Sequence, residues 1–306
     1  MNTSPPTLRL GDNTVGRIGY GAMHLTGPGM WGPPADHEAA IRLLRYAVHE
    51  AGVTFIDTAD SYGPGYNEEL IRKALHPYPE QLVIATKGGM LRTGPDDWVH
   101  SDDRAPYIQA LGRPEYLRQQ VEVSLLRLGV ETIDLYQLHR IDPLVPLEEQ
   151  FGVLVELQRA GKIRHIGLSG QPDVPPDQLD VAAHHADIVA VECLFNLADQ
   201  NARPTLNYAV DNGIVFIPWF PLGHGELIGH LEEIAPYFGV NAAPLALAWL
   251  LRVAPNTLLI PGTTSIAHLD DNMRAFAVDL SEADWQRVEA HCAKFAPWRP
   301  TTATEA

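Results

Sequence analysis

The sequence predicts an α/β fold, a closed (β/α)8 TIM barrel. Short β-branched runs alternate with longer helical patterns, the runs number eight, and the 306-residue chain is of the size such a barrel needs. Near-continuous apolar runs suit parallel strands that are covered on both faces.

Thr7 to Arg17 alternates about Gly11-Asp12-Asn13 and reads as a short hairpin, residues 7–17, capping the barrel bottom. The strands then follow: Ile18 to Met23, Val53 to Asp57, Leu82 to Lys87, Ile133 to Tyr136, Ile163 to Leu168, Ile188 to Val191, Ile214 to Ile217 and Thr257 to Ile260. Between them, Glu38 to Ala51 places Ile41, Leu44, Ala47 and Val48 at helical spacing. Glu115 to Leu128 and Leu147 to Ala160 are further helices, the second closed by Gly161. No linker interrupts the pattern, so residues 1–306 are expected to form a single domain. Residues 297–306 are Pro- and Thr-rich and are expected to be a loose tail.

The formal net charge of −16 argues against nucleic-acid and anionic-membrane partners, which call for clustered Lys and Arg. Met1 to Pro6 has no apolar core for a signal peptide, and no uncharged run approaches a membrane span. Cys193 and Cys292 stand apart, outside any CxxC or Cys/His cluster, so reduced thiols, a cytoplasmic location and no bound metal are expected.

In such barrels chemistry sits at the carboxyl ends of the strands. Here those ends carry Asp57, Lys87, His139, Ser169 and Trp219. Charged groups ending buried strands are costly unless paired, and adjacent strands bring Asp57 and Lys87 within ion-pair reach. A barrel-mouth salt bridge accounts for those two alone. Tyr62, in the loop after Asp57, adds chemistry. An ammonium favours the phenolate, so a phenol beside Lys87 can release its proton near neutral pH, as a general acid must. His139 is placed to donate to a carbonyl oxygen.

Gly52-Val-Thr-Phe-Ile-Asp-Thr-Ala-Asp-Ser-Tyr-Gly63, Thr86-Lys87, Leu138-His139 and Gly167-Leu168-Ser169 resemble the aldo-keto reductase family. The likeness continues through Ile217-Pro-Trp-Phe-Pro-Leu-Gly223 and Ile260-Pro-Gly-Thr-Thr-Ser265 to His268-Leu-Asp-Asp-Asn272. Gly27-Pro-Gly-Met-Trp-Gly-Pro-Pro34 is similar to bacterial members akin to pyridoxal reductases. The resemblance implies NAD(P)H-dependent reduction of a small-molecule aldehyde or ketone by a tetrad. Tyr62 would be the acid, Lys87 would lower its pKa, Asp57 would hold Lys87, and His139 would orient the substrate oxygen.

It further implies that Trp219 stacks on the nicotinamide, that Ser169 binds the carboxamide, and that Pro221, Leu222 and Gly223 run beside the pyrophosphate. Gly262, Thr263, Thr264, His268, Asp271 and Asn272 would hold the adenosine end, at a helix N-terminus suited to phosphate. Ala22 and Met23 complete the cofactor set.

Gly27-x-Gly29-x-x-Gly32 fits a dinucleotide fingerprint, but Pro33 and Pro34 follow where a helix must open. The segment reads instead as a rigid loop over the substrate pocket, with Met30 and Trp31 as walls.

Three departures stand out. Gly170 replaces the family's usual Asn, Glu192 its usual Gln, and Phe195-Asn196 its Tyr-Asn pair. Glu192 is expected beside the carboxamide, unpaired and with a raised pKa, or accepting from the carboxamide NH₂. Gly262 and His268 stand where members strict for the phosphorylated cofactor carry Lys and Arg. NADPH is therefore implied by family likeness, with NADH and an NAD-linked alcohol dehydrogenase as the alternative. Two other readings stay open: a Schiff-base aldolase using Lys87, and a cofactor-binding barrel with altered or negligible turnover.

Overall fold

A computed structural model describes residues 6–95, 108–170 and 172–294. The expected tail at 297–306 lies outside the described residues. The chain opens with antiparallel strands β1 (Thr7–Leu10) and β2 (Asn13–Gly16), joined through Gly11-Asp12. Their apolar side chains Leu8, Leu10 and Val15 pack with Phe55, Val83, Leu135, Val215 and Leu258 at the barrel centre, so the hairpin plugs one end as expected. Asp12 at its tip bonds Arg164 and His165, near the start of a barrel strand.

Seven parallel strands follow: β3 (Tyr20–Gly21), β4 (Phe55–Asp57), β5 (Val83–Gly88), β8 (Ile133–Leu138), β9 (Ile163–Ser169), β10 (Ile188–Leu194) and β11 (Val215–Trp219). They form one sheet in chain order, interrupted only by a short antiparallel pair, β6 (Met90–Arg92) and β7 (Ile108–Ala110). The eighth run, Thr257 to Ile260, closes the ring by single bridges, Phe216 with Thr257 and Ile18 with Leu259. Leu258 N donates to Phe216 O at 2.9 Å and Leu259 N to Arg17 O at 2.9 Å, so strand eight joins strand seven to strand one. The (β/α)8 barrel is complete.

The ring is covered by α1 (His37–His49), α2 (Tyr66–Leu75), α3 (Pro114–Leu128), α4 (Leu147–Arg159), α5 (Pro176–His185), α6 (Arg203–Asp211), α7 (Glu226–Leu231), α8 (Ala242–Val253) and α9 (Ile266–Met273). A final helix, α10 (Glu282–Cys292), packs on α8 through Trp249 Nε1, which donates to Glu289 at 2.8 Å. Helix starts obey local rules. Asp36 caps α1 by accepting from Ala39 N at 2.8 Å, and Gly129 ends α3 in a left-handed conformation. Buried Ile, Leu and Val side chains fill the space between strands and helices and provide the main driving force for this packing. Among the described residues, no helix is long and apolar enough to cross a membrane.

Candidate active site

A cleft of about 340 Å³ opens at the carboxyl ends of the strands. Asp57, Tyr62, His139, Ser169, Gly170, Glu192 and Trp219 line it, with Lys87 fully buried among them. Its apolar wall includes Met30, Met90, Ile108 and Ile228.

Each polar group is set by its strand. Asp57 ends β4 and Lys87 precedes the last residue of β5; the Lys87 ammonium donates to Asp57 Oδ2, and also to Thr58 O at 3.2 Å. Tyr62 is carried by the loop after β4, which Asn67 anchors. The Asn67 amide accepts from Thr58 Oγ1 at 2.6 Å and donates to Ala22 O at 2.8 Å. Gly63 then turns with a φ of +66, and a Cβ there would stand 2.9 Å from Gly32 O. The loop is thereby held against the Gly27–Gly32 segment, and the Tyr62 hydroxyl reaches 3.5 Å from Lys87 Nζ. His139 follows β8, its ring edge-on to Tyr62 with centroids 5.9 Å apart.

The electrostatics differ from the expectation for Tyr62. Lys87 pulls the phenol pKa down, but burial raises it more, so the net direction is up. Burial first, then the charges of Lys87, Arg140 and Arg92, holds His139 well below its usual range, so the imidazole is neutral. Despite its own burial, Lys87 is held above the ordinary lysine value by Asp57 and Glu192. A Schiff-base lysine must be a neutral amine, so this environment opposes the aldolase reading.

Glu192 also corrects the sequence reading. It is buried but not unpaired: its Oε2 lies 3.4 Å from Lys87 Nζ and accepts from Gln137 Nε2 at 2.9 Å. The electrostatic consequence falls on Asp57, which burial, and then Glu192, push up to about 7. Gly170 has a steric cause. A Cβ there would stand 2.4 Å from Asp173 O and 2.5 Å from Val174 Cγ2, leaving no room for the usual Asn between the Asp173 backbone and the Val174 side chain. Trp219 is fixed by its indole N–H, which donates to Gly170 O at 3.1 Å. Asn196 holds the next residue, its amide donating to Phe220 O at 3.1 Å, and Phe220 has a φ of +50.

Met23, Pro221, Leu222 and Gly262 line the same cleft. Ala22 is buried just behind it and donates to Asp57 O at 2.9 Å, while Gly223 opens a short 3-10 turn. Thr263 is buried, and its carbonyl accepts from the Tyr20 hydroxyl at 2.5 Å. Thr264 and His268 are exposed at the start of α9, whose N-cap is Ser265. Asp271 accepts from Asn241, and Asn272 is buried with its Nδ2 lacking a hydrogen-bond partner.

Met30 lines the cleft, whereas Trp31 is 38% exposed and lies outside its lining, so the expected pair of walls is reduced to one. The Gly27–Gly32 segment is a 3-10 turn closed by Gly27 N to Gly32 O at 3.0 Å, and no helix opens from it. Its glycines shape a loop rather than cradle a phosphate.

Sequence reasoning missed His24, Arg92, Arg140 and Gln137. The last had a signal, a polar side chain inside a strand that is otherwise mostly apolar. Away from the cleft, His230, Glu233 and His291 bring potential ligand atoms within 4.8 Å of one another. Each imidazole Nε2 is already engaged by the other residue's backbone carbonyl, at 3.2 and 3.1 Å.

The aldo/keto reductase family model matches residues 17–293. The chain belongs to the aldo/keto reductase family. On that membership it is an oxidoreductase. It is 42% identical to an uncharacterized oxidoreductase of Schizosaccharomyces pombe over 92% of this chain and 89% of that protein. It is 39% identical to the pyridoxine 4-dehydrogenase of Escherichia coli, over 91% of this chain and 96% of that enzyme. The solved glycerol dehydrogenase of Gluconobacter oxydans shares the fold with a TM-score of 0.82 at 26% identity, covering 99% of this chain and 100% of that one.

Proposed function

We propose that the chain reduces a small aldehyde or ketone to an alcohol with NADPH, Tyr62 acting as general acid. The observation that carries the reading is the grouping of Tyr62, Lys87, Asp57 and His139 at one end of a cleft that continues past Trp219 to Gly262. The residues present suit the cofactor. Trp219 is a fixed aromatic face, Gly21 and Gly262 bring bare backbone to the cleft, and the orphaned Asn272 Nδ2 is a buried donor in the segment assigned to the adenosine end.

When bound, that cofactor supplies the hydride. The protein's own work is positional and electrostatic. The substrate oxygen would lie between the Tyr62 hydroxyl and the neutral His139, both of which can donate. As negative charge builds on that oxygen, the Tyr62 proton moves to it, and the Lys87 ammonium stabilises the phenolate left behind. Asp57 keeps Lys87 in place. The apolar wall of Met30, Met90, Ile108 and Ile228 excludes water and receives the rest of the substrate. NADPH is preferred over NADH on family membership alone, because the adenosine end, with hydroxyls and His268 but neither Lys nor Arg at positions 262 and 268, does not itself select the phosphorylated form.

Fluorescence titration with NADPH and NADH, followed by turnover with a panel of aldehydes and ketones that includes pyridoxal, tests the reading. NADPH binding and consumption with at least one carbonyl is expected. Binding without turnover across the panel would instead favour a regulatory barrel.

A further inference from the structure

The Lys87 ammonium carries three protons and meets four acceptors. Asp57 Oδ2 and Thr58 O are the nearer two; Glu192 Oε2 at 3.4 Å and the Tyr62 hydroxyl at 3.5 Å share what remains. Gln137 closes the group into a ring, with Nε2 2.9 Å from Glu192 Oε2 and 3.4 Å from Asp57 Oδ1. An amide orders the two carboxylates but neutralises neither. All five side chains, Asp57, Tyr62, Lys87, Gln137 and Glu192, are buried, so solvent does little to screen them. The flanking strands supply no second cation: Ser169 on β9 and Ile217 on β11 stand in register with Glu192. His139 is neutral; Arg92 and Arg140 also line the cleft and act on His139, whereas the cation that acts on Asp57 is Lys87.

We propose that Glu192 is a second counter-ion of Lys87 that leaves the cleft floor with one surplus negative charge, so that the site favours the cationic, oxidised nicotinamide over the neutral, reduced form. The proposal rests on the cofactor reading above and makes Glu192 a positioning residue, acting through Lys87 and Asp57. The two redox forms differ in charge only at the ring, so the ratio of their dissociation constants isolates this effect. The surplus is itself titratable. Because burial and the neighbouring Glu192 raise Asp57 to about 7, a proton held on Asp57 cancels the surplus on the acid side, and binding of the oxidised form expels it.

The test measures dissociation constants of NADP⁺ and NADPH at pH 6 and pH 8 by isothermal titration, for the wild type and for Glu192→Gln. In the wild type the ratio should move in favour of NADP⁺ by about tenfold as pH rises. The 2′-phosphate titrates in both forms and cancels. Glu192→Gln should shrink the pH dependence and hold the ratio at pH 8 near the wild-type value at pH 6, and Glu192→Asp should retain the full dependence. A flat wild-type ratio overturns the proposal whether or not the variants fold. An unchanged dependence in Glu192→Gln overturns it too. Failure of the wild type to bind either form would remove the cofactor reading and this proposal with it.

Discussion

The Tyr62 hydroxyl lies 3.5 Å from the Lys87 ammonium, which stands 5.3 Å from the centre of the phenol ring. Proximity to a cation alone would make a phenolate, yet burial outweighs Lys87, and Asp57 and Glu192 push the same way. The phenol therefore keeps its proton at neutral pH and has one to give. Tyr62→Phe should bind NADPH as the wild type does and reduce carbonyls at least ~10²-fold more slowly in single-turnover experiments. Wild-type rates in that variant would remove Tyr62 from the chemistry.

Lys87→Met would leave two buried carboxylates facing each other without a cation. Breaking a buried pair costs about 3–5 kcal/mol. Urea denaturation at pH 8 should register a loss of that order, smaller at pH 5, where Asp57 is protonated. A loss that is the same at both values would show that the two carboxylates do not share Lys87.

Glu192→Gln should change stability in the opposite sense. The folded pKa of Asp57, about 7, lies above its unfolded value, so the folded chain binds the extra proton between roughly pH 4 and 7. Its contribution to stability is complete on the acid side and is lost as pH rises through 7. Removing the Glu192 charge lets Asp57 ionise earlier and at less cost. Relative to the wild type, the variant should gain about 1–2 kcal/mol between pH 5 and pH 8, at ~1.4 kcal/mol per unit of relieved shift. Parallel stability curves for the two proteins would contradict this.

Gly88 follows Lys87, and a Cβ there would stand 2.0 Å from the Tyr136 hydroxyl and 3.3 Å from Asp60 Oδ2. Tyr136 is fully buried and cannot swing away. Gly88→Ala should cost about 1–3 kcal/mol and displace Lys87, lowering activity. The Tyr136 hydroxyl has no hydrogen-bond partner, so Tyr136→Phe should be close to neutral and should restore part of the loss. Thermal melts of the two single variants and the double variant check both statements.

The barrel and the grouping of Asp57, Tyr62, Lys87 and His139 were legible because strand periodicity and the strand-end rule locate residues without any knowledge of side-chain direction. Glu192 shows where that stops. Its strand was readable, but whether its carboxylate reached the cofactor or Lys87 depended on Gln137, an inward polar residue whose partner lies 55 positions away. Arg92 and Ile108 were hidden differently, since β6 and β7 pair across a stretch of sequence with no readable pattern. Trp31 failed because the positive-φ turn at Gly29 and Met30 sends neighbouring residues to opposite environments, one buried and one exposed.

Strand eight meets its neighbours by single bridges, and the approach to strand one is so close that a Cβ on Gly21 would stand 2.5 Å from Ile260 O. Mechanically, the barrel is a hoop with a clasp, and Gly21, Ile260 and Gly262 put that clasp on the wall of the cleft. With few cross-strand bonds to break, the hoop should part there before it parts between β5, β8 and β9. A ligand gripping both Trp219 and Gly262 would span the clasp and hold it shut. Amide exchange from Thr257 to Ile260 should therefore be the fastest of the barrel strands and should slow the most when NADPH is added, joining occupancy of the cleft to the integrity of the whole ring.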